Sequence, residues 1–253
     1  MNVTILLALI LLALMVIIGG QRGFLSFMTL CFNFITLLLM FILIKNQYDP
    51  IIITVVGCII ISSIILFYIN GISKKTVSSL ISVVIVVLIT LIITNRIGSD
   101  ANIQGFTYEE LDDVSAFSLY IDLNFPKVLV CQILIGLLGA IIDVSISISS
   151  TMNEIYKHNP LVTKKKLIHS GINVGRDILG TMVNTLLFAF ISGFMTLIMW
   201  FDKMNYSFVD ILNRKIFSSE VFQIMTSGIG LVLIIPITAY VTSGILFMKK
   251  TYH

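Results

Sequence analysis

The sequence predicts an all-α, polytopic integral membrane protein, and two observations lead to this. Of the 253 residues, 57% are hydrophobic and 11% are charged, with a mean hydropathy of +1.05, whereas soluble domains carry about 25% charged residues. A bilayer-spanning helix needs about 17 to 25 apolar residues. Apolar runs of this length occur at 2–19, 24–44, 51–70, 76–95, 127–150, 177–200 and 222–247. We therefore expect about seven transmembrane helices.

The first run is interpreted as a retained helix, because no basic residue precedes it and no small-residue cleavage site follows it. Orientation follows from the loops, since Lys and Arg are retained on the cytoplasmic side of short loops. With the N-terminus outside, ten Lys and Arg residues fall in cytoplasmic segments and six in external ones. Of the loop acids, Glu154 alone falls inside. The sequence therefore predicts an N-out, C-in topology.

The chain divides into three predicted parts. Residues 1–95 form a first group of four apolar helices, and 96–126 form a short acidic external loop that is too small for a core of its own. Residues 127–253 form a second group of three helices that is richer in polar side chains. Within this group Pro160 breaks the fifth helix, and 155–172 reads as an amphipathic segment on the cytoplasmic membrane face. The alternative for this segment is a solvated loop.

Polar and small residues form a narrow stripe on the fifth predicted helix. At about 100 degrees per residue, six residues lie within about 40 degrees on either side of the direction of Asp143: Gly136, Gly139, Asp143, Ser147, Ser150 and Glu154. A similar stripe follows on the sixth helix: Ser170, Asn173, Asp177, Thr181 and Asn184. We expect the two stripes to face each other. The seventh helix adds Ser227, Gly230 and Thr238 on one side, with Pro236 as a kink.

The acidic member of the first stripe carries the functional hypothesis. An Asp at the bilayer centre costs about 2.5 to 3.5 kcal/mol on insertion scales, so Asp143 must be neutral, paired or hydrated. The expected pairings are Arg176 with a carboxylate of the fifth helix and Asn184 with Asp143. The candidate coupling or transport residues are Asp143, Ser147, Ser150, Glu154, Arg176, Asp177, Thr181 and Asn184. The alternative is that these groups only join helices, at about 0.6 kcal/mol per hydrogen bond.

Three blocks carry a resemblance to a known family: "GLLGAIIDVSISISSTMNEI", "SGINVGRDILGTMVNTLLFAFISG" and "SGIGLVLIIPITAYVTSGIL", with "NGISKKTVSSLIS" near residue 70. Together they resemble the YibE/F-like bacterial membrane proteins. The resemblance implies a multi-pass plasma-membrane protein, often encoded with a related partner, so a hetero-oligomer with a YibE-type protein is expected. The short external segments fit the smaller, YibF-type member. The order of the intramembrane Asp, "NE", basic loop and "GRD" is similar to SecD/SecF and resistance-nodulation-division transporters.

The leading hypothesis is therefore a subunit of a permease or secondary transporter, coupled to protons or another ion through Asp143. One alternative is a non-catalytic partner that stabilises or gates a larger membrane complex. A third is an intramembrane aspartyl protease using Asp143 and Asp177, although its Gly-x-Gly-Asp sequence is missing. No P-loop or hydrolase motif is present, and no enzyme activity, metal, cofactor or nucleic-acid partner is expected.

Overall fold

The computed structural model describes residues 3–100, 125–203 and 206–248, and the regular elements in these ranges are helical. The helices are α1 Val3–Lys45, α2 Pro50–Ser63 with a π-helical continuation Ile64–Tyr68, α3 Lys74–Asp100, α4 Phe125–His158, α5 Lys164–Lys203, α6 Phe208–Asn213 and α7 Lys215–Phe247. Within the described ranges, six helices are long and apolar enough to cross a membrane. The prediction of an all-α, multi-pass membrane protein is confirmed.

The long first helix is bent back on itself at Gly20. This residue has φ 57° and ψ −134°, a conformation that glycine adopts without steric cost. A Cβ at Gly23 would collide with the main-chain carbonyl of Met15, although eight residues span about 12 Å in a straight helix. The chain therefore reverses at Gly20, and α1 consists of two segments, 3–19 and 21–45, which correspond to the first two predicted spans.

Local signals account for the ends of the next helices. Asp49 caps α2 by accepting a hydrogen bond from the Ile51 amide at 3.0 Å, and Pro50 occupies the first turn, where its missing N–H is not needed. The helix α4 ends at His158, two residues before Pro160, as the sequence predicts. The predicted loop 96–126 lies mostly outside the described residues, since α3 continues to Asp100 and α4 begins at Phe125.

The segment 155–172 does not form a separate helix. Its first residues complete α4, and from Lys164 onward it forms the first turns of α5, which runs unbroken to Lys203. Most apolar residues in this segment pack against the bundle instead, since Leu167 is fully buried and Ile168 packs against the core, whereas Leu161 is 92% exposed. An amphipathic pattern predicts a helix with one buried face, and here a neighbouring helix covers that face.

The helix α4 lies at the centre of the bundle. It packs against α2, α3, α5 and α7, and α3 and α7 also pack against each other. The buried core follows one side of α4, where Leu137, Ile141, Ile148 and Met152 are completely enclosed. The second segment of α1 packs against α2, where the Met40 side chain lies on Gly57. The first segment of α1 leaves most of its apolar side chains exposed.

Two glycines allow α5 to approach the bundle closely. A Cβ at Gly171 would press on the Met152 side chain of α4 and lie 3.3 Å from Ala239 of α7. At Gly175 a Cβ would collide with Ile235 of α7 and lie 3.1 Å from Ile148 of α4. Small residues at these positions are typical of membrane helices that pack closely. They determine which face of α5 is turned inward.

This packing predicts opposite effects of the same substitution at two glycines of α5. Gly175→Ala should destabilise the protein by about 1 to 3 kcal/mol, because the added methyl group overpacks the contact with Ile235 and Ile148. Gly180→Ala is the control, since nothing lies within 4 Å of its added methyl group; it should be neutral or slightly stabilising. Thermal unfolding in detergent measures both, and equal unfolding temperatures would contradict the packing described.

Candidate functional site

The predicted stripe on α4 lies on the exposed side of the bundle. Gly136, Gly139, Asp143, Ser147 and Glu154 are exposed, and Ser150 is half-buried. The residues flanking the aspartate, Ile142 and Val144, are each 1% exposed, so the boundary between the two faces of α4 is sharp. The single face predicted from the helical period exists, and the helices in the described ranges leave most of it exposed.

The predicted stripe on α5 is also turned outward. Asn173, Asp177, Thr181 and Asn184 are exposed and Ser170 is half-buried, while the adjacent Arg176 is exposed as well. The two stripes therefore do not face each other, and this prediction was wrong. The close contact between α4 and α5 lies on other sides of the two helices, where Gly171 and Gly175 meet Met152 and Ile148.

The expected pairings are not made. Among the described residues neither Asp143 nor Asp177 has a hydrogen-bond or ion-pair partner for its carboxylate, so neither Arg176 nor Asn184 bonds to them. Glu154 pairs instead with Lys157 at 3.0 Å, one turn along the same helix. The expected pairings required the stripe of α4 to pack directly against the stripe of α5. They are not made because the two stripes do not pack against each other.

The hydroxyl groups of the stripes bond within their own helices. The Oγ of Ser147 donates to the main-chain carbonyl of Asp143 at 2.7 Å, the Oγ of Ser170 to that of Lys166 at 3.0 Å, and the Oγ1 of Thr181 to that of Ile178 at 2.8 Å. Each such bond uses the single O–H donor of the side chain within its own helix, and no hydroxyl of either stripe bonds to another helix among the described residues. The stripes therefore do not join the helices of this chain to one another.

Several hydrogen bonds between helices come from another set of residues, which we call the hydroxyl cluster. Its members are fully buried: Ser78 and Ser79 of α3, Ser145 and Ser149 of α4, and Thr238 and Thr242 of α7. The Oγ atoms of Ser79 and Ser149 are 2.6 Å apart. Thr238 donates to the Oγ of Ser145, and Thr242 to that of Ser78, both at 3.1 Å.

Sequence reasoning identified only Thr238 of this cluster as facing the bundle, and Ser227 of the same predicted side is likewise buried. The signal for the rest was present in "KKTVSSLIS" and in the spacing of Ser145 and Ser149, four residues apart on the side of α4 opposite Asp143. The first group of predicted helices therefore also contributes buried polar contacts, through Ser78 and Ser79. The cluster contains no ionisable group, so it can bind helices together but cannot carry charge.

At one end, the exposed face of α4 leads into a cavity of about 900 Å³ between α1, α2, α4 and α7. Gln132 lies on this face, and its Nε2 donates to Oε1 of Gln223 on α7 at 3.0 Å. Gly136 lines the cavity as well, and a Cβ there would lie 3.3 Å from the Phe190 ring of α5. The exposed face, which we call the α4 groove, thus runs from Gln132 to Glu154.

Polar contacts of two lysines connect neighbouring helix ends at the two ends of the bundle. At the cavity end, Lys127 pairs with Asp49 at 2.5 Å, and this hydrogen bond holds the pKa of the Asp49 carboxyl below its usual range. At the other end, Lys74 donates to the Met248 carbonyl at 3.4 Å. No group of three His, Cys, Asp or Glu side chains that could hold a metal occurs within the described ranges.

The sequence matches the family described as YibE/F-like protein over residues 7–248. This match covers nearly the whole chain, so the protein belongs to the YibE/F-like family. No curated protein and no solved structure matches the chain significantly. The family membership agrees with the multi-pass membrane fold, but it does not identify a substrate.

The hydroxyl cluster predicts a measurable coupling across the α3–α4 contact. A double-mutant cycle of Ser79→Ala and Ser149→Ala should give a coupling of about 0.6 kcal/mol, the usual size for hydrogen bonds between membrane helices. Ser147→Ala is the control on the exposed side and should change stability by no more than about 0.5 kcal/mol. Unfolding in detergent measures these values, and zero coupling would show that the cluster does not hold the helices.

Proposed function

We propose that this chain is one subunit of a membrane permease or secondary transporter, coupled to a proton or another ion through Asp143. In this proposal the α4 groove is completed by a second membrane protein, a YibE-type partner, and this chain is the smaller, YibF-type member of the pair. The observation that carries the proposal is an intramembrane carboxylate on an exposed face, without a partner among the described residues. No catalytic role is included.

The energetics favour function over helix packing for this carboxylate. An Asp inside the bilayer costs about 2.5 to 3.5 kcal/mol, and nothing in the described bundle offsets this cost. Packing of α3, α4 and α7 is already provided by the neutral hydroxyl cluster. Asp143 would therefore be retained for a role in which the proton or charge itself matters.

The length of the α4 groove suits a path across the membrane. From Gln132 to Glu154 the helix rises about 33 Å, similar to the roughly 30 Å thickness of the hydrocarbon core. Asp143 lies halfway along, which is where secondary transporters place their coupling-ion sites. Exposed Asp177, Thr181 and Asn184 on α5 add polar groups on a neighbouring helix, and Arg176 and Glu154 supply charges toward the loop between the two helices.

We propose an N-out, C-in topology with seven crossings in a bacterial plasma membrane. The reversal at Gly20 supports counting α1 as two crossings, because its 43 residues would extend about 65 Å if straight, twice the thickness of the hydrocarbon core. The Asp49–Lys127 pair and the Lys74–Met248 bond lie at opposite ends, as alternating crossings require. Basic loops near Lys74 and Lys164 would then face the cytoplasm.

The proposal predicts that proton movement depends on Asp143. This chain and its YibE-type partner, co-reconstituted in vesicles that contain a pH-sensitive dye, should acidify or alkalinise the lumen when a potassium diffusion potential is imposed. Asp143→Asn should lower the flux to that of protein-free vesicles, because an amide of the same shape cannot bind and release a proton. Ser149→Ala, on the buried face, is the control and should keep the flux.

An Asp143→Asn protein that inserts normally, assembles with its partner and keeps full proton flux would exclude coupling through this carboxylate. If vesicles with the wild-type proteins show no proton flux, sodium flux is measured instead. The wild-type and Asp143→Asn proteins are then compared in the same way. Loss of flux in the Ser149→Ala control would instead indicate a folding defect.

A second candidate function is a non-catalytic subunit that stabilises or gates a larger complex. The exposed polar face of α4 favours it as well, because a partner helix could cover this face without any transport. Deleting this chain would then deplete the partner protein, whereas Asp143→Asn would have no effect. In the leading proposal, Asp143→Asn leaves partner levels unchanged but abolishes flux.

Both candidates predict that the α4 groove contacts the partner. In a background without native cysteines, Ser147→Cys on the exposed face should form cross-links to the partner in membranes treated with a short thiol-reactive reagent. Ser149→Cys, two residues away and fully buried, should form none, because α3 covers it. Equal cross-linking at both positions, or cross-linking only at position 149, would show that the partner docks elsewhere.

A further inference from the structure

The cavity at the end of the α4 groove is large and mainly apolar. Its volume of about 900 Å³ lies within the range of small-molecule sites, roughly 300 to 1,000 Å³. The apolar walls come from the second segment of α1 and from the first turns of α4. They include Leu37, Met40, Phe41, Ile44, Val128 and Ile135. A cavity of this volume and polarity suits a hydrocarbon chain.

Two amide side chains interrupt these apolar walls. Gln223 is 4% exposed, and its Oε1 accepts the hydrogen bond from Gln132 at 3.0 Å. Its Nε2 lies beside Gly136, which lines the cavity, and has no acceptor in the part of the chain that the structure describes. This nitrogen is not one of the fully enclosed polar atoms that lack a partner, so it is accessible from the cavity. The amide pair therefore presents a hydrogen-bond donor to whatever fills the cavity.

A positive charge stands at the mouth of the cavity. Lys45, the last residue of α1, lines it and is exposed, with no ion-pair partner among the described residues. The neighbouring Lys127 is already paired with Asp49. Gln132 lies five residues along α4 from Lys127, about 7.5 Å deeper in the membrane. The cavity thus offers a cation at the surface, amides below it and an apolar interior.

We propose that this cavity binds an anionic membrane lipid. Its charged head group contacts Lys45, an ester carbonyl accepts from the Gln223 amide, and an acyl chain lies along Phe41 and Ile135. Basic residues at a membrane surface select anionic head groups, and the order of charge, amide and apolar wall matches the order of these parts in a phospholipid. This proposal does not depend on transport.

The test uses the full chain in nanodiscs that contain a trace of photoreactive phosphatidylglycerol, with the diazirine in its acyl chain. Phosphatidylcholine with the same chain is the neutral probe. Phosphatidylglycerol should label the peptides around Phe41 and Ile135 more strongly than phosphatidylcholine does. Lys45→Gln should lower this labelling about five-fold, the expected effect of one basic residue near an anionic head group. Lys165→Gln, an exposed lysine at the other end of the bundle, is the control.

The amide pair is tested with the double variant Gln132→Leu and Gln223→Leu, in which both partners become apolar together, so the fold is expected to persist. It should reduce labelling by both lipids, since both carry ester carbonyls. Thermal unfolding confirms that the variant is folded, and the exposed Lys45→Gln variant remains informative if it is not. Equal labelling by the two lipids with no dependence on Lys45, or labelling mapped to other helices, would overturn the proposal.

Discussion

Hydrogen bonds among buried hydroxyl groups determine how this bundle is arranged. Lipid tails are as apolar as leucine, so hydrophobicity does not decide which side of a membrane helix faces its neighbours. The bond between Ser79 and Ser149 and the bond from Thr238 to Ser145 fix one side of α4 against α3 and α7. Because Asp143 lies on the opposite side of the same helix, these contacts turn it out of the bundle.

Because Asp143 points outward, the polar stripes do not form a contact within this chain. Had the stripes of α4 and α5 met, the polar groups would satisfy one another within one chain. Their hydroxyls instead bond to their own helices, and both aspartates stay without partners in the described part of the chain. A face of this kind is stable in a membrane only against another protein or a hydrated path, which links the proposed transport to the proposed partner.

Helical periodicity predicted much of the candidate site, but it could not predict its surroundings. The grouping of Asp143 with Ser147 and Glu154 on one face follows from residue spacing alone and is seen in the structure. Which helix would cover that face depends on contacts between distant parts of the chain. The pairing of Ser79 with Ser149, 70 residues apart, left no signal stronger than a few serines in apolar runs.

The sequence by itself determined the fold class, the positions of the membrane-crossing segments, the break at Pro160 and the existence of both polar stripes. These properties are local, since they depend on apolar length, proline geometry and the helical period. Only the tertiary structure decided that Gly175 packs against α7 and that the stripes point away from the core. Such choices depend on steric fit and hydrogen bonds between helices, which the pattern along one helix does not encode.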